Sequence, residues 1–113
     1  MGEDFLLLYV TAPTNSDARK IAHALVKERL AACVNILGEV ESVYFWEGEV
    51  KSNVEIAFLV KSRAELIEEI SERIQKLHSF ECPCIISLDG ELGSSEFMNW
   101  ISKNTKTKSL EAR

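Results

Sequence analysis

An α+β sandwich, four antiparallel strands backed on one face by two helices with a short third helix at the end, is what this sequence predicts. Two observations carry that reading. Apolar runs at strand spacing alternate with apolar positions at helical spacing in the order βαβ, βαβ, and Val10 to Val34 is spaced much like Val60 to Ile85, a weak internal repeat. Right-handed crossovers then place both helices on one face of a sheet ordered 4-1-3-2, the ferredoxin-like arrangement. At 113 residues the chain is one domain's worth and buries roughly two thirds of its unfolded surface, so a single core forms without a metal or disulfide staple.

Phe5 to Thr11 is a nearly continuous apolar run, which reads as a central strand buried on both faces. Asn15 and Ser16 follow Pro13 as candidate N-caps. Ala18, Ile21, Ala22, Leu25 and Val26 then mark one face of a helix predicted to run to about Ala31. Cys33 to Trp46 is a long strand, and the isolated Gly38 inside it marks a bulge. Glu47 to Asn53 reads as a polar turn and Val54 to Lys61 as the returning strand. A second amphipathic helix carries Leu66, Ile67, Ile70, Ile74 and Leu77. Pro83 to Leu88 is the fourth strand, and Ser94 or Ser95 caps a last helix holding Phe97, Met98, Trp100 and Ile101. From about residue 104 to 113 the chain is polar and reads as a frayed tail.

The second strand is too long for its domain. Fourteen residues reach roughly 46 Å, against a radius of gyration near 13 Å for a domain of this size. Its far end, Val43-Tyr44-Phe45-Trp46, is apolar on both faces, because neighbouring residues of a strand point opposite ways. Either Gly38 folds the strand back over its own core, or identical copies bury the aromatic end against one another. Burial in a closed assembly is preferred, with Tyr44, Phe45 and Trp46 as interface anchors.

A net charge of −5 disfavours nucleic acid and anionic lipid as partners. No apolar stretch approaches the roughly 20 residues needed to span a bilayer, and Glu3 and Asp4 stand where a signal peptide needs basic residues. A cytoplasmic location is expected. Three cysteines, Cys33, Cys82 and Cys84, are an odd number and read as reduced thiols. Cys82 and Cys84 fall on one face of a strand about 6.6 Å apart, close enough to share a soft ion such as Cu(I) but tighter than usual zinc spacing. Their plainer role is packing at a sheet edge, and Cys33 is equally a small buried residue. His78 suits either metal ligation or the C-terminal cap of the second helix. Arg29 and Lys61 either hold an anion near a subunit junction or solvate the surface.

Four stretches carry a family resemblance: Val10-Thr11-Ala12-Pro13, Glu28 to Ile36, Val43-Tyr44-Phe45-Trp46-Glu47-Gly48, and His78-Ser79-Phe80-Glu81-Cys82-Pro83. In order and spacing they resemble the CutA family of divalent-cation tolerance proteins, from about Phe5 to Ile101. The resemblance implies a tight homotrimer, a role in metal-ion tolerance, copper or another soft divalent ion as the metal, and a trimer architecture shared with PII signalling proteins. Cys33, His78, Cys82 and Cys84 are then the candidate metal ligands. Ser79, Phe80 and Cys84 stand where the family pattern commonly has Pro, Tyr and Glu, which replaces a hard oxygen donor by a thiol. The alternative function is a PII-like trimer sensing a small anionic metabolite between subunits.

Other classes fit less well. RNA-recognition domains share the element order, but Val54 to Lys61 lacks their Gly-aromatic pattern. An enzyme with Cys84 as nucleophile and His78 as base has no third orienting group, so no catalysis is expected. In a 4-1-3-2 sheet Cys33 lies on one edge strand and Cys84 near the other, about 14 Å away. A site using all three cysteines is therefore expected between subunits.

Overall fold

The computed structural model describes residues 4–79 and 83–108. Its strands are β1 (Phe5–Ala12), β2 (Cys33–Trp46), β3 (Glu49–Arg63) and β4 (Ile85–Leu88). The helices are α1 (Asn15–Lys27), α2 (Ile67–Leu77) and α3 (Ser95–Lys103), with a 3-10 turn over Ala64–Leu66 ahead of α2. The strands form one antiparallel sheet ordered β2-β3-β1-β4, the order the sequence predicts.

Alternation along the central strands separates two faces. Leu6, Leu8 and Val10 of β1 and Ile56, Phe58 and Val60 of β3 point toward the helices and are buried. They meet Ala18, Ile21 and Leu25 of α1 and Ile70 and Ile74 of α2, which recur at helical spacing and make the core. The other, open face carries Phe5, Leu7 and Tyr9, half-buried, with Ile86 and Leu88 of β4 exposed beside them. Helix α3 lies at one end of this open face, where the Phe97 ring sits 5.7 Å from the Lys61 ammonium.

Several boundaries differ from the sequence reading. Strand β4 starts at Ile85 and not at Pro83, which leaves Cys84 outside the strand, and β3 runs on past Lys61 to Arg63. Three other differences have a clear local reason. Thr14, not Asn15 or Ser16, caps α1: its Oγ1 accepts the Asp17 N–H at 3.1 Å, satisfying one of the helix's unpaired donors. Helix α1 ends at Lys27, well before Ala31, in a Schellman turn with Leu30 N–H bonded to Leu25 O and Arg29 N–H to Val26 O. Arg29 takes φ +65°, the left-handed region, at a cost of about 1 kcal/mol or more for a residue with a Cβ. The polar segment Glu49–Asn53 belongs to β3 and is not loop, because the turn is only Glu47-Gly48. Both turn residues have positive φ, 50° and 83°, the tight two-residue geometry whose twist matches the strands it joins.

The bulge forms where the isolated glycine predicts it. Pairing jumps from Ile36 with Phe58 to Gly38 with Ala57, leaving Leu37 as the extra residue, and Gly38 adopts φ +112°. Beyond the bulge the ladder continues without interruption to Trp46 opposite Glu49, so Gly38 does not fold the strand back over the core. The hairpin projects as a blade, and the molecule measures 47 × 32 × 24 Å.

Candidate functional site: the projecting blade and the thiol positions

On the blade's helix-side face Val43, Phe45, Val50 and Val54 stand in register across the two strands, with Phe45 70% and Val50 73% exposed. On its other face Trp46 is 57% exposed, while Tyr44 is half-buried and its hydroxyl accepts a 2.5 Å hydrogen bond from Asn53 Nδ2. Large apolar side chains on both faces of one two-stranded ribbon make a surface that water solvates poorly. The blade thus exposes apolar side chains on both of its faces.

The candidate ligands fall at distant points of the sheet. Cys33 opens β2 opposite Lys61, half-buried, with its Sγ 4.0 Å from Asn35 Oδ1. Cys84 precedes β4, one residue beyond the pairing of Val10 with Ile85, and makes a side-chain hydrogen bond with Thr11. Lys61 pairs with Leu7 on β1, so the two thiols are offset by four residues along the strands and three strands across. That separation is about 19 Å within one chain. Cys82 lies outside the described residues.

Burial pushes the Cys84 thiol above its ordinary value, and the Glu55 charge adds to that push. The hydrogen bond with Thr11 opposes both. His78 is buried at the end of α2, where its backbone N–H caps Ile74 O and its ring Nε2 donates to the Thr11 carbonyl at 2.7 Å. A metal approaching Nε2 has to displace that bond. Thr11 thus joins His78 to Cys84, a link the sequence conceals because it depends on the β1–β4 register. Among the described residues no three His, Cys, Asp or Glu side chains gather closely enough to hold a metal ion.

The two cations proposed as anion holders have other partners. Arg29 donates from Nη2 to the Lys103 carbonyl at 3.0 Å, and the Lys61 ammonium lies against Phe97. Residues Asn104 to Lys106, expected to fray, are pinned: Thr105 is buried and accepts from Arg63 Nε at 2.8 Å, and Lys106 N–H donates to Arg29 O at 2.8 Å. Residues 109–113 lie outside the described residues. Among the described residues no helix is long and apolar enough to cross a membrane.

A ferredoxin-like domain with an overlong, bulged aromatic hairpin defines a narrow class of small α+β proteins. The sequence model of the CutA1 divalent ion tolerance protein matches residues 6–104, and the chain belongs to that family. A divalent-cation tolerance protein CutA from Thermus thermophilus is 40% identical over 99 residues, 88% of this chain and 96% of the relative. A chloroplastic CutA from Arabidopsis thaliana is 38% identical over 101 residues, 89% of this chain. The chain spans only 56% of that plant relative's length. The solved structure of the Thermus thermophilus divalent cation tolerance protein superposes with a TM-score of 0.86 at 39% identity, covering 90% of this chain and 99% of that one. The family model and the Thermus thermophilus relative are named for divalent-ion tolerance.

Proposed function

We propose that this chain is a homotrimeric divalent-cation tolerance protein that takes up a soft metal ion, copper foremost, between its subunits in the cytoplasm. The observation that carries the reading is the blade: a two-stranded ribbon with Phe45, Trp46, Val43, Val50 and Val54 exposed is unstable against water unless a neighbouring copy covers it. Tyr44, Phe45 and Trp46 are the anchors of that contact. In a C3 arrangement that pairs the β2 edge of one subunit with the β4 edge of the next, both edges are protected and Cys33 is carried toward a neighbour's Cys84. Within one chain the 19 Å separation of Cys33 and Cys84 is far beyond what metal–sulfur bonds of about 2.3 Å span. The metal here is cargo, and thiols select the soft ion. A cytoplasmic location keeps the thiols reduced.

Calorimetric titration of the reduced protein with Cu(I) tests this directly. The wild type is expected to bind with a stoichiometry fixed per assembled trimer, and Cys33→Ser and Cys84→Ser are each expected to weaken binding at least tenfold. Because the raised Cys84 pKa keeps its thiol protonated at neutral pH, binding releases a proton. Affinity therefore rises with pH until the thiol ionises and falls as the solution is acidified. Binding that is unchanged in Cys33→Ser would contradict the shared site.

A further inference from the structure

Glycine is the usual residue one step past a helix C-cap, because the left-handed conformation there brings a Cβ against the backbone. Arg29 occupies that position with φ +65° and a full side chain. The side chain reaches across to the end of α3, where Nη2 donates to the Lys103 carbonyl at 3.0 Å, while Arg29's own carbonyl accepts the Lys106 N–H at 2.8 Å. Buried Arg63 holds the same segment from the other side: Nε donates to Thr105 Oγ1 at 2.8 Å, and its guanidinium also binds the Lys106 carbonyl and Glu65. The Lys106 ammonium closes the set on Glu69, 3.0 Å away.

Helix α3 itself is weakly rooted. Of its nine residues only Ile101 is buried; Phe97 and Met98 are half-buried and Trp100 is exposed. A nine-residue helix is not stable alone in water, so its place depends on what holds its ends. Met98 lines a shallow groove with Phe5 and Leu92, and Phe97 lies over Lys61, so α3 covers the end of the open face on which Lys61 pairs with Cys33.

We infer that Arg29 is a latch: it keeps α3 seated on the open face, and its release lets α3 lift as a unit while the sheet, α1 and α2 stay folded. The strain of an arginine in a glycine position is set against the bond its guanidinium makes to the Lys103 carbonyl; the bond from Lys106 N–H to the Arg29 carbonyl is backbone and any residue keeps it. Opening uncovers Phe5 and frees the Lys61 ammonium beside Cys33. The latch does not require a metal, and its test reads the fold alone.

Arg29→Gly suits the backbone and removes only the guanidinium, so the fold is preserved. Hydrogen exchange of the assembled protein, resolved by mass spectrometry, is expected to quicken roughly tenfold at the amides of α3 in Arg29→Gly while β1 amides keep their rates and the melting temperature does not fall. Arg29→Lys keeps a donor of similar reach and is expected to exchange more slowly at α3 than Arg29→Gly. A purely structural role moves α3, β1 and the melting temperature together. Unchanged exchange at α3 in Arg29→Gly, a parallel rise at β1 with a lower melting temperature, or α3 exchange in Arg29→Lys as fast as in Arg29→Gly would each overturn the latch.

Discussion

The β2–β3 ladder is one continuous set of hydrogen-bonded pairs, yet its two ends follow opposite rules. At its start Val34 packs against the helix-backed core, and Phe58 and Val60 of the partner strand are wholly buried. From Glu41 to Trp46 the same ladder stands clear of the body, with Val43, Phe45 and Val54 open to water. The backbone pairing does not differ between the halves; what differs is coverage of the side-chain faces. Pairing holds a ribbon together, but burial decides where it is stable: burial along β3 ends between Ile56 and the exposed Val54, past the bulge at Leu37–Gly38, whereas β2 is already exposed from Asn35.

The comparison breaks most severely at Phe58. Phe58→Ala opens a cavity in the body and is expected to cost about 3 to 5 kcal/mol of folding free energy, measured by denaturant unfolding. Trp46→Ala, in the blade, is expected to leave the folded subunit intact while costing about 2 to 4 kcal/mol of assembly, measured by the concentration dependence of sedimentation. If Trp46→Ala lowered subunit stability and left assembly untouched, the division between body and blade would be wrong.

The sheet order, the bulge and the length of β2 were legible because each has a local signature: buried strands alternate with amphipathic helices, and Gly38 interrupts a strand pattern. The start of β3 was not. Lys51, Ser52 and Asn53 are polar because this part of the ladder faces solvent, and polarity in a projecting strand reads like a loop. The left-handed turn at Arg29 was hidden for another reason, since its partners at Lys103 and Lys106 lie more than 70 residues away. The candidate ligands were individually visible as Cys33, His78, Cys82 and Cys84, but their separation depends on strand register, and the tie of His78 and Cys84 to Thr11 on tertiary packing.

A smaller effect sharpens the comparison at the tip. Glu47 holds φ 50° in the hairpin turn, a conformation that asparagine tolerates better. Glu47→Asn is expected to stabilise the turn by on the order of 0.5 kcal/mol, relieving part of the left-handed strain. Hydrogen exchange at Phe45 and Val50 is the measure: slower exchange there, with β1 unchanged, marks the blade as a separate unit of stability.

Equilibrium sedimentation of the wild-type chain at micromolar concentration tests the central claim most directly. On the proposed reading a neighbouring copy covers the blade's exposed Phe45, Trp46 and Val50, so a single species of three times the 12.7 kDa chain mass is expected, unchanged on dilution through the micromolar range. A species of 12.7 kDa that stays folded and soluble would contradict it.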